Sequence, residues 1–285
     1  MIPAAFDYAA PSSVDEAVAA LAGAGGREVK VLAGGQSLIP VLRLRLAAPE
    51  LLVDLGQIAE LRGVREDGDA IVIGAMTTHD ALTRDPLVRQ HALLLALAAE
   101  TVADPQVRHR GTFGGSLAHA DPAGDMPAAA LALDATMEIA GPGGRRSVPA
   151  AQFFTDVFTT AVAAGELLVS IRVSKHTGWG AHYEKLNRTA QAWSIVAVAA
   201  AVRVSGGTIA EAKVGLTNMG LVPLRASAVE SALAGQPATA EAITAAAAHA
   251  GEGTHPMADS NADEEFRGHL ATVLTGRAVL AAATA

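Results

Sequence analysis

The stretch KVLAGGQSLIP, residues 30–40, sets two adjacent glycines between a short apolar run and a Ser-led apolar segment. VKVLA (29–33) reads as a strand and Gln36–Ser37 opens the next segment, so Gly34 and Gly35 stand at a strand-to-helix junction. Glycines at such a place serve one of two ends. They make an ordinary tight turn, glycine's commonest use, or they turn successive N–H groups toward one point and cradle the oxygens of a phosphate.

Upstream of the junction, Ser13 and Glu16 in SSVDEAVAALAGAGG have capping-box spacing and predict a helix that ends at glycines. Downstream, LLVDL (51–55) reads as a second strand, which predicts a small α/β lobe closing near residue 55. GAGGRE (23–28) has the glycines of a dinucleotide fingerprint, but it follows a helix and precedes a strand, the reverse of a Rossmann turn. It is a connector. AIVIGAMTT predicts a strand running into Thr77 or Thr78 as a helix cap, and PLVRQHALLLALAAE a helix with Pro86 near its first turn. AAALALDA is helical by composition, TMEIAGPGGRRSV predicts a hairpin turning at Gly141–Gly144, and LLVSIRV (167–173) is a closing strand. SKHTGW reads as a linker. Beyond it, AHYEKL and SIVAVAAAVRVSGGTIAEAKVGLTNM predict an antiparallel meander turning at Gly206–Gly207, followed by Ala-rich helices from Leu224. The expected units are 1–55, 56–174 and 178–285, the last an α+β domain.

Composition narrows the function. At 285 residues the chain can bury one large core or two modest ones. A net charge of −8 argues against nucleic acid as the main ligand, because phosphate neutralisation needs a basic surface. No apolar run has transmembrane length and the N-terminus lacks the pattern of a secretory signal, so the expected location is cytoplasmic, with membrane association only through partners. There is no cysteine, which excludes disulfides, thiolate zinc sites, cysteine nucleophiles and cysteine-held iron–sulfur clusters in this chain. Redox chemistry here has to come from an organic cofactor or from another subunit.

A second loop, GTFGGSLAHADPAGDMP, repeats the pattern of the first with Gly111, Thr112, Gly114, Gly115 and Ser116. Two Gly-Gly loops, each followed by a hydroxyl residue, could supply donors to a diphosphate from two sides. Asp125 opens the following helical run, either as a helix cap or as an acceptor for a ribose hydroxyl or a brace for this loop. His119 and Asp121 form an H-x-D, but no second His-rich element supports a metal site. RHR (108–110) is either a diphosphate neutraliser or, with the greater weight, solvated surface. Walker A and G-x-S-x-G motifs are absent.

LAGGQSLIPVLRLRL, IGAMTTH, ADPQVRHRGTFGGSLAHADPAGDMPA, GELLVSIRV and YEKL together resemble the FAD-binding medium subunits of molybdenum hydroxylases, with the carbon monoxide dehydrogenase branch nearest. The resemblance runs from FDYAAPSSVDEAV to EEFRGHLATVLTGRAV. It implies an α+β fold, a two-subdomain FAD-binding domain of the PCMH/vanillyl-alcohol-oxidase type followed by a C-terminal domain with an antiparallel sheet and helices. By the same resemblance, Ala33, Gly34, Gly35, Gln36 and Ser37 hold the FAD diphosphate together with Thr112, Phe113, Gly114, Gly115 and Ser116. Asp125 matches a family aspartate, and Leu168 and Lys185 match positions lining the flavin or its adenosine portion. Trp193 falls where relatives carry an aromatic residue near the isoalloxazine. On the residues alone, Trp193 is as readily a core side chain, and Lys185 reads as exposed surface. Ser116 and Phe113 depart from the common Asn and Ile of the family. The implied role is electron transfer through FAD, with no catalytic base and no metal in this chain. The molybdenum cofactor and [2Fe-2S] clusters would sit on a large and a small partner subunit, in a dimer of heterotrimers, with a quinone or another oxidant as acceptor. The implied parent reaction is oxidation of CO to CO2. An aldehyde, purine or N-heterocycle hydroxylase and a non-redox scaffold are the alternatives.

Overall fold

The computed structural model describes residues 2–285. The first lobe is a three-stranded parallel sheet built from β1 (Asp7–Ala9), β2 (Val29–Leu32) and β3 (Leu51–Asp54), in the order β1-β3-β2. Helix α1 (Val14–Ala22) connects β1 to β2, and α2 (Leu38–Arg43) connects β2 to β3. The capping box is displaced by one residue from its usual form. Ser13 Oγ accepts from Glu16 N–H at 3.2 Å, while the Glu16 carboxylate turns to the N–H and hydroxyl of Ser12.

The second lobe holds five antiparallel strands in the order β4-β5-β10-β6-β7: β4 (Val64–Asp67), β5 (Ala70–Gly74), β6 (Thr136–Gly141), β7 (Gly144–Pro149) and β10 (Leu167–Ser174). Helices α3 (His79–Arg84), α4 (Pro86–His91), α5 (Leu93–Glu100), α6 (Pro105–Arg108), α7 (Phe113–His119) and α8 (Asp125–Ala132) lie between β5 and β6. Short α9 (Ala150–Phe153) and the small pair β8 (Phe154–Asp156) and β9 (Thr159–Thr160) precede β10. Thr78 is the cap of α3, its hydroxyl accepting from Ala81 N–H. The helix expected over PLVRQHALLLALAAE is in fact two. Asp85 caps α4 with Pro86 in its first turn, and the chain breaks at buried Ala92, whose φ of −145° leaves the helical region so that α5 can turn onto α3 and α8. SKHTGW is not a free linker either, since Lys175 N–H and His176 N–H bond to the carbonyls of Asp69 and His91.

The C-terminal part is an antiparallel sheet in the order β11-β12-β13-β14, from β11 (Gly180–Leu186), β12 (Val196–Ser205), β13 (Thr208–Thr217) and β14 (Leu224–Arg225). Helices α10 (Ser227–Leu233), α11 (Ala240–Ala247) and the 20-residue α12 (Glu264–Ala283) cover one face. The near-continuous apolar run of β12 has a direct cause, since both faces of the sheet are buried. Val196, Val198 and Val202 join the core under the C-terminal helices, whereas Ala197, Ala199 and Ala201 join the core of the second lobe. The small side chains let α8 lie close on the sheet, and closest at Gly215, where a Cβ would stand 2.3 Å from the Ala128 carbonyl oxygen. The three main sheets fall within residues 7–54, 64–174 and 180–225, but the last two are joined by one core.

Gly215→Val should therefore push α8 off the sheet. Overpacking of this kind costs about 1–3 kcal/mol or more. The expected result is a thermal midpoint lowered by several degrees with far-UV circular dichroism largely kept; an unchanged midpoint would contradict the packing described.

Candidate functional site

A cleft of about 530 Å3 opens where the three parts meet. Its walls come from the β2–α2 loop, the segment after β5, the start of α3, the 111–116 loop, β10 and the loop before β12. Of the residues singled out from the sequence, Ala33, Gly34, Gly35, Gln36, Ser37, Thr112, Gly114, Gly115, Ser116, Asp125, Leu168 and Trp193 line it. Phe113 and Lys185 do not. The Phe113 ring is wholly buried in the core of the second lobe, and its N–H donates to the Thr77 carbonyl.

The two glycine loops touch backbone to backbone. A Cβ on Gly34 would lie 2.2 Å from the Arg110 carbonyl oxygen and 2.8 Å from Gly111 Cα. Gly35 has φ +78°, a left-handed conformation that favours glycine, and a Cβ there would meet Ile39. On the other loop, a Cβ on Gly114 would strike Ala75 at 2.5–2.7 Å, and one on Gly115 would strike Thr112 Oγ1 at 2.6 Å. These glycines are bare because protein packs on them.

What the loops offer a ligand differs sharply. Among the described residues, no acceptor answers the backbone N–H groups of Gly34, Gly35, Gln36 or Ser37. Four consecutive unanswered donors beside a cleft are what an anion-binding nest requires. On the second loop the donors are already engaged. Gly114 N–H bonds to the Ala75 carbonyl, Gly115 N–H to the Thr112 hydroxyl at 3.1 Å, and Ser116 N–H to the Thr112 carbonyl. The expectation that both loops present backbone donors is corrected accordingly, because the carbonyls after β5 and the Thr112 cap of α7 take up the second set. That loop contributes a smooth surface and the Ser116 hydroxyl.

Asp125 does not cap α8 with its side chain; Gly124 occupies the cap position. Its carboxylate is buried and ringed by donors, with Tyr183 Oη at 2.9 Å and Ser194 Oγ at 2.8 Å on Oδ1, and Lys185 Nζ at 2.8 Å on Oδ2. Lys185, which reads from the sequence as exposed, has a side chain only 6% accessible and also donates to the Thr101 carbonyl at 3.2 Å. Burial pushes the Asp125 carboxyl up, against the pull of Lys185 and the two hydroxyls. Burial, with Asp125 beside it, likewise holds Tyr183 well above its ordinary value, so it stays a phenol and a donor. Trp193, adjacent to Ser194, is 56% exposed and stands at the cleft rather than in the core. Leu168, at an irregularity in the register of β10, forms part of the floor.

Two histidines line the cleft; His79 has no role in the sequence reading, and His119 enters it only as half of the unsupported H-x-D metal pair. His79 is buried, and burial together with the Arg108 guanidinium lowers its pKa to about 4. His119 is lowered by burial and packs on Phe158, with ring centroids 5.0 Å apart. The H-x-D pair is loose, with His119 Nε2 and Asp121 4.0 Å apart, and no group of three or more His, Asp or Glu able to hold a metal occurs among the described residues. In RHR, Arg108 caps the carbonyls of Val102 and Ala103, and His109 and Arg110 border a separate 220 Å3 hollow on the far side of the loop contact. No helix among the described residues is long and apolar enough to cross a membrane.

Comparison with known proteins gives the site its family context. Residues 4–175 match the FAD-binding domain in molybdopterin dehydrogenase, and residues 181–282 the CO dehydrogenase flavoprotein C-terminal domain. The chain is 44% identical over 285 residues to the carbon monoxide dehydrogenase medium chain of Hydrogenophaga pseudoflava, covering 99% of this chain and 98% of that one. It is 42% identical over 287 residues to the carbon monoxide dehydrogenase medium chain of Afipia carboxidovorans, covering 98% and 97%. The solved structure of carbon monoxide dehydrogenase from Hydrogenophaga pseudoflava lacking the Mo-pyranopterin moiety superposes with a TM-score of 0.95 at 45% identity, over 99% of this chain and 98% of that one.

Two outcomes follow from the electrostatics. Lys185→Met leaves the Asp125 carboxylate buried without its cation and should cost about 3–5 kcal/mol, measurable by denaturant unfolding of the flavin-free chain. The depressed histidines give a pH dependence whose sign is fixed. His79 protonates only near 4 when folded and near 6.5 when unfolded, so its contribution is complete above about pH 6.5 and is lost as pH falls toward about 4. His119 and His176 act in the same sense. The thermal midpoint should fall between about pH 6.5 and 5, above the carboxylate range, and fall less steeply in His79→Leu.

Proposed function

The chain belongs to the family of FAD-binding medium subunits of molybdenum hydroxylases, and from that membership we propose that it carries electrons through FAD in a carbon monoxide-oxidising complex. The observation that carries the site is the row of four unanswered N–H groups at Gly34–Ser37. Such a row suits the diphosphate of FAD, whose oxygens need donors and whose charge needs no cation when a nest surrounds it. The cleft of about 530 Å3 gathers residues from all three parts of the chain, from Lys30 to Trp193. The residues present therefore fit the cofactor.

When bound, FAD supplies one- and two-electron transfer, the chemistry that would link iron–sulfur clusters on a small subunit to a two-electron acceptor such as a quinone. The protein's part is binding, orientation and exclusion. The first loop would hold the diphosphate through Gly34–Ser37, with the Ser116 hydroxyl in the same cleft as a further donor. Leu168 and Trp193, both in the cleft wall, would offer apolar surface to the planar ring. Lys185 and Asp125 hold β11 and the Trp193–Ser194 loop against α8, so Trp193 is presented at a fixed place. No side chain of this chain acts as a base on the substrate.

Because the chain has no cysteine, thiolate-held clusters must reside on other subunits. We place the molybdenum centre on a large partner, with pairing into a dimer of heterotrimers. The parent reaction consumes carbon monoxide and water and gives carbon dioxide, two protons and two electrons. Two relatives above 40% identity, matched almost end to end, favour this substrate over an aldehyde, purine or N-heterocycle.

Ser37→Asp tests the nest. A carboxylate beside the free N–H row would occupy it and repel a diphosphate, so flavin per chain should fall at least tenfold, while Ser37→Ala keeps most of it. Normal flavin content in Ser37→Asp would sink the assignment. In the complex purified with its partners, carbon monoxide should bleach the flavin absorbance. Bleaching by an aldehyde or purine in its place would reassign the substrate.

A further inference from the structure

His79 is a buried titratable group that no protein hydrogen bond to its ring accounts for. It is 4% exposed, begins α3 directly after the Thr78 cap, and forms part of the cleft wall. Its Nδ1 is sealed and without a partner, and among the described residues Nε2 has no protein hydrogen bond either. Buried polar atoms are nearly always paired, so two open positions on one ring call for a specific cause.

The position of the ring is enforced. His79 N–H donates to the Gly111 carbonyl at 2.9 Å. A Cβ on Gly111 would lie 2.9 Å from His79 Cδ2 and 3.3 Å from Nε2, so Gly111 is bare because the imidazole fills that space. Gly34 packs on the same Gly111 from the other side. The imidazole, Gly111 and the free N–H row are thus consecutive pieces of one wall. With its pKa held near 4 by burial and Arg108, the ring is neutral at pH 7, with one N–H to donate and one lone pair to accept.

We propose that His79 is a further cofactor-binding residue, its imidazole hydrogen-bonding the diphosphate or an adjoining sugar-alcohol hydroxyl of FAD. The inference rests on the FAD site proposed above. The bound cofactor then answers Nε2, the ring nitrogen that is not sealed, and Gly111 is required so that the ring can stand there.

The test uses the full chain stripped of flavin and titrated with FAD, followed by quenching of flavin fluorescence. His79→Leu should raise the Kd about tenfold, the effect of one lost hydrogen bond. His79→Gln carries an amide near Nε2 and should recover to within about threefold of wild type, whereas His79→Asn, with its amide near the sealed Nδ1, should not. The flavin-free thermal midpoint of His79→Leu should equal or exceed that of wild type at pH 7, since an unpaired buried polar group has been removed. A histidine with a purely structural role gives the reverse pairing, a lowered midpoint with unchanged Kd. An unchanged Kd in His79→Leu, or a loss that His79→Gln does not reverse, overturns the inference and leaves the FAD site standing. A wild-type chain that takes up no FAD overturns the site itself.

Discussion

A carboxylate buried at the meeting of two domains has to be surrounded by donors, and Asp125 imposes that requirement on everything near the cleft. Its three side-chain partners come from β11 and the loop before β12, 58 to 69 residues further along the chain. Breaking the ring exposes nothing to water; it strands a charge, which is why such pairs specify a position more than they add stability. The ring fixes the C-terminal sheet on α8, and with it the loop carrying Trp193. The shared core of Ala197, Ala199 and Ala201 with α8 supplies the bulk of the attraction, but apolar contact is non-directional. The ion pair gives it a register.

The glycines have the same logic at shorter range. Read as sequence, Gly34 and Gly115 invite the idea that a ligand needs bare backbone. In the folded chain it is the neighbouring protein that needs it, Arg110 and Gly111 at Gly34, and Thr112 at Gly115. The ligand-facing consequence is indirect. Only because the two loops meet this closely do the unanswered N–H groups of residues 34–37 lie beside the hydroxyl of Ser116 in one cleft.

Much of this was legible in the residues. The strand-to-helix junction, the Gly206–Gly207 and Gly141–Gly144 hairpins and the Thr78 cap depend on local chemistry that a few neighbouring residues decide. So did the gathering of most of the proposed site residues around one cleft, through the two loop motifs taken together. Three things were not legible, each for a physical reason. The break at Ala92 comes from where α5 must pack, which no periodicity encodes. Lys185 alternates with Tyr183 on a strand, and alternation names a face without saying that the face will be covered by a helix bearing an acid 60 residues earlier. The second loop's donors look as free as the first's until Ala75, Thr77 and Thr112 are seen to claim them.

That last difference bears on how a dinucleotide is held. If both loops gave backbone donors, the diphosphate would be clamped symmetrically and its two arms would be equivalent to the protein. With donors on one side only, the first loop would bind the anion in the proposed function and the second would limit its approach, through the backbone of Gly114–Gly115. A surface of that kind cannot tell one phosphate oxygen from another, so the orientation of the arms must come from groups beyond the nest. Trp193 and Leu168 stand in the cleft wall and His79 stands beside Gly111. An apolar pair suits a planar ring, and a neutral donor–acceptor suits the polar linker. The asymmetry of the loops therefore shifts the work of orientation onto side chains contributed by separate elements. It makes the ring that braces Trp193, rather than the glycines, the place where a substitution would misorient the cofactor without releasing it.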